Sequence, residues 1–501
     1  MSIKNGNQIK SGAVISYFAI AISIIAALLY TPWMKDQIGD ANYGIYTLSS
    51  SLISIFLMDF GLGTSVTRFI AKYRAEENSQ SIADVLGYVG KLYLVIDAVI
   101  LIVLVIVYSC IERIFVGLTI QEIGTLRSVF LVFGTYSVLA FPFTPLSGIL
   151  NAYELFVEMK LCDLFQKLLA IVLIIIILLC GHGVIALVVM NAIAGLICVV
   201  VKLWFILKKI QVRPNFSVHN REMLKEILGF SIWVTVLAFA QRMIFNLAPS
   251  ILGITSNSME IARFAPASQM EGYFYTFAFA INGLFLPTVA RYDQKADQSA
   301  ILRLAEKVGR YQMCVLGLLF TGIAVVGAEF MRLWMGAEYE ICGFCTTLMI
   351  MPSLFQYPQQ ILNTMLSVRN LVKYQAMAAM AMGVANVIIS FVLTPSLGVV
   401  GSSVSIAIAY ILNLILLNIV YWRKMGLNLR RFYIQVFAKY LWIIVVSIAL
   451  AKLILSSVSW SGWTGFFCSV IVTGGVYVVL LFSGGFTREE RSSIITKLKK
   501  K

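Results

Sequence analysis

Histidine is almost missing from this chain, with two in 501 residues, and cysteine offers a single C-x-x-C, Cys342 and Cys345. With no second pair to complete a ligand set, neither a metal site nor a cofactor is expected, and the eight cysteines read as packing residues in or beside apolar blocks. Charge is scarce as well, at 13% of residues against 60% hydrophobic. A soluble chain of this size interleaves polar residues at helical or strand periods, whereas runs such as LLAIVLIIIILLC (168–180) are apolar on every face. No G-x-x-x-x-G-K-[ST] occurs, since Gly90-Lys91 is followed by Leu92, and this excludes a P-loop ATPase. Long hydrophilic loops are also lacking. The first apolar block, Gly12 to Met34, is too long for a signal h-region and has no small-residue cleavage pattern, so it is expected to stay as a helix.

What the chain does have is apolar blocks of about twenty residues, the length that crosses a hydrocarbon core of roughly 30 Å. Hydropathy with Gly, Pro and charge punctuation predicts an all-α polytopic membrane protein of fourteen spans. They lie near 12–34, 41–66, 84–110, 125–149, 161–180, 183–206, 227–253, 263–289, 308–329, 341–368, 376–395, 398–421, 436–456 and 464–485. An even number puts both termini on one side. With that side cytoplasmic, the inner segments hold 28 of the 39 Lys and Arg, and the outer loops hold only Lys35, Arg113, Arg127, Arg263 and Arg332. The net charge of +15 is then mostly topology, and no nucleic-acid partner need be invoked. Basic blocks at 206–225 and in the C-terminal tail suit contact with anionic membrane lipids.

The chain also resembles itself at a shift near 217 residues. Gly12 and Pro32 match Gly229 and Pro249; Val89-Gly90-Lys91 matches Val308-Gly309-Arg310; Ile149-Leu150-Asn151 matches Ile361-Leu362-Asn363; Lys208-Lys209 matches Arg423-Lys424. Six spans separate each residue from its mate, so both halves share one orientation, as in transporters whose two bundles rock around a central cavity. The predicted organisation is a six-helix bundle at 1–206, a cytoplasmic linker at 207–226, a second six-helix bundle at 227–421, and two further helices with a basic tail at 422–501.

Certain residues carry a family resemblance. Gly12, Thr31-Pro32, Gly39 with Tyr43-Gly44, and Asp59, Gly61, Gly63, Ser65 and Arg68 stand in the pattern that opens bacterial polysaccharide flippases, the O-antigen type exporters of the MATE-like MOP superfamily. RLWMGAEYE (332–340) and LGVVGSSVS (397–405) resemble that family's second half. The resemblance implies a secondary transporter in the bacterial cytoplasmic membrane, not an enzyme. Its implied cargo is a lipid-linked oligosaccharide on an isoprenoid diphosphate carrier, for lipopolysaccharide or related surface polysaccharide, with polysaccharide-assembly proteins as candidate partners.

Charges inside the spans are the candidate site residues. An arginine at a helix centre costs roughly 2.5 to 3.5 kcal/mol on insertion scales, so it faces a wet cavity or a partner rather than lipid. Arg242 is thirteen residues past Gly229, about 20 Å along its helix, too deep to reach either surface easily. It reads either as a binding group for anionic cargo, through paired guanidinium donors, or as one half of an ion pair with Asp97 or Glu271. Lys91, Lys167, Arg310 and Arg68 lie near inner span ends, where they either snorkel to headgroups or form a cationic vestibule for the cargo. Asp163 and Lys167, an i,i+4 pair, are placed to neutralise one another. Asp97, Glu271 and Asp59 are candidate ion-coupling acids, for H+ or Na+, because burial and neighbouring cations shift a carboxylate's proton affinity in opposite directions; a structural role is the competing reading for each. Prolines 142, 145, 249, 266, 287, 352 and 358 mark places where spans kink.

Two other functions compete with flipping. A MATE-like exporter of cationic drugs is expected to lead its cavity with carboxylates, where this chain places Lys and Arg at least as prominently. A polytopic glycosyltransferase or polymerase needs a catalytic acid or base on a sizeable outer loop. The longest one here, 111–124, has only Glu112 and Glu122.

Overall fold

The computed structural model describes residues 2–210, 213–217, 221–279, 289, 291–293, 298–369, 371–457 and 461–485. Every regular element among them is helical. Pro287, Trp460 and the basic C-terminal tail lie outside the described residues. The chain divides into two compact units, Met1–Ala262 and Arg263–Lys501.

The first unit holds α1 (Ser2–Ile38), α2 (Asp40–Phe56), α3 (Leu62–Ala75), α4 (Ser79–Ile114), α5 (Ile120–Ala140), α6 (Leu146–Ala152), α7 (Phe156–Leu179), α8 (Val184–Lys209), α9 (Arg221–Phe245), α10 (Ala248–Thr255) and the start of α11 (Ser258–Phe279). Helix ends are closed by local polar groups. Asn78 caps α4 by accepting from Ser81 N, and a Thr119–Glu122 capping box opens α5. Ser258 then donates to Glu122, tying the start of α11 to that cap. Since lipid gives helices little hydrophobic reason to associate, close backbone approach and hydrogen bonds hold them together. The Thr67 hydroxyl on α3, for instance, donates 3.0 Å to the Gly148 carbonyl on α6.

The second unit continues α11 and adds α12 (Gln298–Met335), α13 (Ile341–Gln356), α14 (Gln360–Val368), α15 (Val372–Met425), α16 (Leu429–Tyr433), α17 (Lys439–Ser456) and α18 (Gly462–Leu480). Its core is rich in buried tyrosines whose hydroxyls are satisfied across helices. Tyr421 donates to Asn363 Oδ1 at 2.8 Å and Tyr477 to the Cys314 carbonyl at 3.1 Å.

Among the described residues eight helices are long and apolar enough to cross a membrane, or nine when the bent pair Ser231–Phe245 and Ala248–Thr255 counts as one span. Two of the fourteen expected spans are divided, for physical reasons. The span expected at 41–66 is broken, because α2 stops at Phe56 and α3 starts at Leu62; that expected at 341–368 is interrupted by a 3-10 turn at Tyr357–Gln359, around Pro358. In the other direction, α15 is a hairpin rather than one rod. Fifteen residues of straight helix rise about 22 Å, yet the Ser390 and Ser405 hydroxyls are 2.5 Å apart. The reversal is at Gly398, with φ 54° and ψ −131°. This places the expected spans 376–395 and 398–421 side by side.

That backbone conformation is essentially open to glycine alone. Gly398→Ala is expected to destabilise the fold by about 1 to 3 kcal/mol, lowering the thermal unfolding midpoint in detergent. Ser396→Ala nearby, an exposed position, should stay within about 0.5 kcal/mol of the unsubstituted chain. An unchanged midpoint in Gly398→Ala would remove the turn.

Candidate functional site

The site grows out of two helix breaks in the first unit. At the first, Phe60 (φ 50°) and Gly61 (φ 66°) are both left-handed. Phe60 is a costly residue there, by about 1 to 3 kcal/mol, and is held by its surroundings: its carbonyl accepts from the Thr235 hydroxyl and its ring packs edge-on against Phe141 at 6.0 Å. Gly61 admits no side chain, since a Cβ would lie 2.9 Å from both the Ser231 carbonyl and the Val234 Cβ of α9. Asp59 closes the break. Its Oδ1 accepts from Gly61 N at 2.9 Å, and its carbonyl accepts from Leu62 N at 3.0 Å and the Tyr93 hydroxyl at 3.2 Å. Irregular backbone at membrane depth is tolerated only when satisfied in this way or facing a cavity, and here both conditions hold.

Opposite the break runs α9, which bends by 40° into α10. Pro249 in the first turn of α10 explains why the helix does not run straight on. Ser231, Thr235, Arg242 and Asn246 are spaced four, seven and four residues apart, which places them on one face of α9. That face meets α2 and α3 through a polar seam. The Ser231 and Ser65 hydroxyls are 2.6 Å apart, Thr235 donates to the Phe60 carbonyl, and the Asn246 amide donates to Ser54 Oγ. Arg242 is therefore one member of a stripe that also carries Ser231, Thr235 and Asn246, with Ala238 between.

Between the break and the bend is a pocket of about 440 Å³, lined on one side by Met58 and Asp59 and on the other by Gln241, Arg242, Phe245 and Asn246. Arg242 stands in the last turn of α9, where the carbonyl ends of the helix favour a cation. Asp59 is the acid whose charge reaches it. Among the described residues the guanidinium forms no hydrogen bond or ion pair, so its donors are left to the pocket. A rigid fork of N–H groups in such a place suits a phosphate or carboxylate.

The other charged residues singled out in the sequence lie elsewhere. Asp97, on α4, has one carboxylate oxygen buried without a hydrogen-bond partner. Glu271, in the second unit, is 4% exposed and accepts from the Tyr357 hydroxyl at 2.9 Å. Tyr357 is in turn packed among Phe274, Tyr275 and Phe279. Lys91 lies half-buried 5.9 Å from the Tyr88 ring, and exposed Arg68 6.0 Å from the Phe69 ring; Arg310 is half-buried on α12. Lys167 donates to Ser23 Oγ at 3.4 Å. The expected Asp163–Lys167 pair does not form. Asp163 pairs instead with Lys202 of the neighbouring α8, at 2.8 Å, and Ser147 also accepts from that ammonium at 3.2 Å. The pair across two helices replaces one along a single helix because Lys202 is largely buried and needs the carboxylate, whereas Lys167 is exposed.

Of the predicted residues, then, the structure brings Arg242 and Asp59 to one pocket. Sequence reading missed Ser231, Thr235 and Asn246, although their helical spacing around Arg242 was available as a signal; the partners Ser54 and Phe60 depend on tertiary contact and had none.

A family model described as polysaccharide biosynthesis protein matches residues 9–293. The chain is 23% identical over 167 residues to the probable low-salt glycan biosynthesis flippase Agl15 of Haloferax volcanii, a match that takes in 33% of this chain and 35% of that protein's length. Its fold is similar to that of the lipid II flippase MurJ in an inward closed conformation, with a TM-score of 0.68 and 13% identity over 96% of this chain and 98% of that one. It is likewise similar to the inward-facing conformation of a multidrug resistance MATE family transporter of the MOP superfamily, with a TM-score of 0.67 and 14% identity over 83% and 98%. At such identities the two structures speak for the fold. The family match covers more than half of the chain and takes in both broken helices around Arg242: the chain belongs to the polysaccharide biosynthesis protein family, on a MOP-type fold.

Proposed function

We propose that the chain is a flippase moving a lipid-linked oligosaccharide, carried on an isoprenoid diphosphate, from the inner to the outer leaflet of a bacterial cytoplasmic membrane. On this reading fourteen spans form two similar six-helix bundles, 1–206 and 227–421, joined by the linker 207–226 and followed by two helices and a basic tail, 422–501. Both termini are cytoplasmic, and the bundles alternate access to a cavity between them. The observation that carries the reading is Arg242, which forms no hydrogen bond or ion pair among the described residues and lines a pocket where a diphosphate would supply the oxygens its guanidinium lacks. Arg68, Lys91, Lys167 and Arg310 serve as a cationic approach from the inner leaflet. Asp59, Asp97 and Glu271 are the acids available for coupling to H+ or Na+, since transport without an ATPase draws on a gradient, on product removal or on a partner. The polysaccharide biosynthesis family match and Agl15, named as a glycan biosynthesis flippase, favour this assignment over drug export.

Proteoliposomes carrying a fluorescent isoprenyl-diphosphate oligosaccharide test the central role. A hydrogen bond to a charged group is worth about 1.5 to 3 kcal/mol, so Arg242→Ala should slow flipping by about ten- to a hundredfold while the protein remains in the membrane. Arg242→Lys, which keeps charge without the fork, should fall between. Normal flipping by the alanine variant rejects the assignment, and a change in the length of the sugar chain would instead indicate a transferase.

Glu271→Gln addresses coupling. The variant is expected to keep movement down the lipid's own gradient yet lose any acceleration by an imposed H+ or Na+ gradient. Unaltered acceleration removes Glu271 from the coupling path.

A further inference from the structure

Between α8 and α9 a short described segment is docked on another helix. Its described residues, 213–217, lie along the first turns of α4. Asn215 N donates to the Ala83 carbonyl at 2.8 Å, and the Asn215 amide donates to Asp84 Oδ1 at 2.7 Å, an oxygen that Gln80 also bonds at 3.1 Å. Asn215 Oδ1 accepts from Ser217 N at 3.1 Å, fixing the turn. The fit depends on two glycines one turn apart. A Cβ on Gly87 would stand 1.8 Å from the Asn215 carbonyl oxygen, and one on Gly90 would stand 3.0 Å from the Phe216 ring.

The second unit repeats the arrangement with other chemistry. Glu306 and Gly309 of α12 stand 219 residues after Gly87 and Gly90, and Arg431 stands 215 after Phe216, the same offsets that relate the sequence repeats. Arg431 Nε pairs with Glu306 Oε1 at 2.9 Å, and a Cβ on Gly309 would lie 3.1 Å from the Val436 side chain. In each unit the segment following the sixth span of a half docks on the helix of that half's third span. The two docks differ in chemistry and in burial. The second pairs half-exposed Arg431 with a buried carboxylate and adds Val436, which is fully buried; the first sets a neutral amide on the Asp84 carboxylate and leaves Phe216 52% exposed.

We propose that residues 213–217 are a releasable strap, which tethers the entry to α9 while docked on α4 and leaves the Gly87–Gly90 notch during each transport cycle, the Glu306–Arg431 dock being its fixed counterpart. The geometry of the tether gives this content. With the anchor at Phe216, five Cα steps lead to Arg221, a reach of at most about 18 Å. Released, the twelve steps from Lys209 at the end of α8 to Arg221 reach about 43 Å. Any larger excursion of α9, the helix that carries Arg242, requires the strap to let go. The cycle itself rests on the flippase reading above.

The test is a reversible lock in the full chain. Asp84→Cys with Asn215→Cys, oxidised in proteoliposomes and with cross-linking verified by mass, should flip the labelled lipid at least about tenfold more slowly, and reduction should restore the rate; each single variant serves as control for the native cysteines. Flipping at the uncross-linked rate overturns the strap. Gly87→Val, which fills the notch, should raise amide hydrogen exchange across 213–217, as should Asn215→Ala, a change at the exposed side that leaves α4 intact. Wild-type protection in both variants would overturn docking itself. If the unlocked protein moves no lipid, the flippase reading falls. The strap then stands or falls on hydrogen exchange: exchange across 213–217 that the cross-link suppresses supports release, and exchange that it leaves unchanged refutes it.

Discussion

Placing a guanidinium some 20 Å into a membrane helix is the constraint around which the first unit is arranged. Coulomb attraction to Asp59 helps, but no ion pair closes among the described residues, and a fully neutralised pair would leave nothing for a ligand. What makes the position tolerable is the stripe on which Arg242 stands. Ser231, Thr235 and Asn246 each find a partner on α2, on α3 or on the break between them, so these positions of α9 pack on protein. The arginine is held off hydrocarbon by neighbours that do not touch its charge. Its hydrogen-bonding capacity stays open as a result.

The same contacts explain why two helices are broken side by side. A straight α2–α3 would carry apolar residues past α9 and leave the Thr235 hydroxyl without the Phe60 carbonyl it reaches. Breaking the helix frees backbone groups, which Asp59, Tyr93 and Thr235 satisfy, and produces the concave wall of the pocket. The left-handed Phe60 is thus strain stored where it shapes a cavity, consistent with the clustering of such residues at functional positions.

Much of the molecule was legible before any coordinates. Block length gave the membrane solvent, the depth of Arg242 within 227–253 marked it as needing a cavity or a partner, and Gly61 stood out within a motif. What stayed hidden has a physical pattern. Hydropathy windows average over a break of five residues, so 41–66 read as one span when Phe60 and Gly61 divide it. The Asp163–Lys167 pair followed from helical spacing, but spacing along one helix says nothing of what the next helix offers, and Lys202 offered more. In α15 the hairpin was legible because Gly398 separates two apolar blocks. Where a glycine or a local cap decides, sequence suffices; where a partner from another helix decides, it does not.

Seen along its length, α9 is constrained by three different kinds of contact, and their order matters. Near its start a short tether of few hydrogen bonds lies on α4; at mid-length hydroxyls meet across a close glycine contact; in its last turn the Arg242 guanidinium faces a pocket just before a bend. Weakly held, partly exposed contacts open at low cost, while close-packed seams move as rigid pieces. Motion is therefore expected to begin at the tether and to pivot about the Gly61 seam. An anion bound by Arg242 biases such a motion only through a difference in affinity between its end states. The pocket supplies a source for that difference, because its two walls belong to the two broken helices, and any change in their bend changes the spacing between the guanidinium and Asp59.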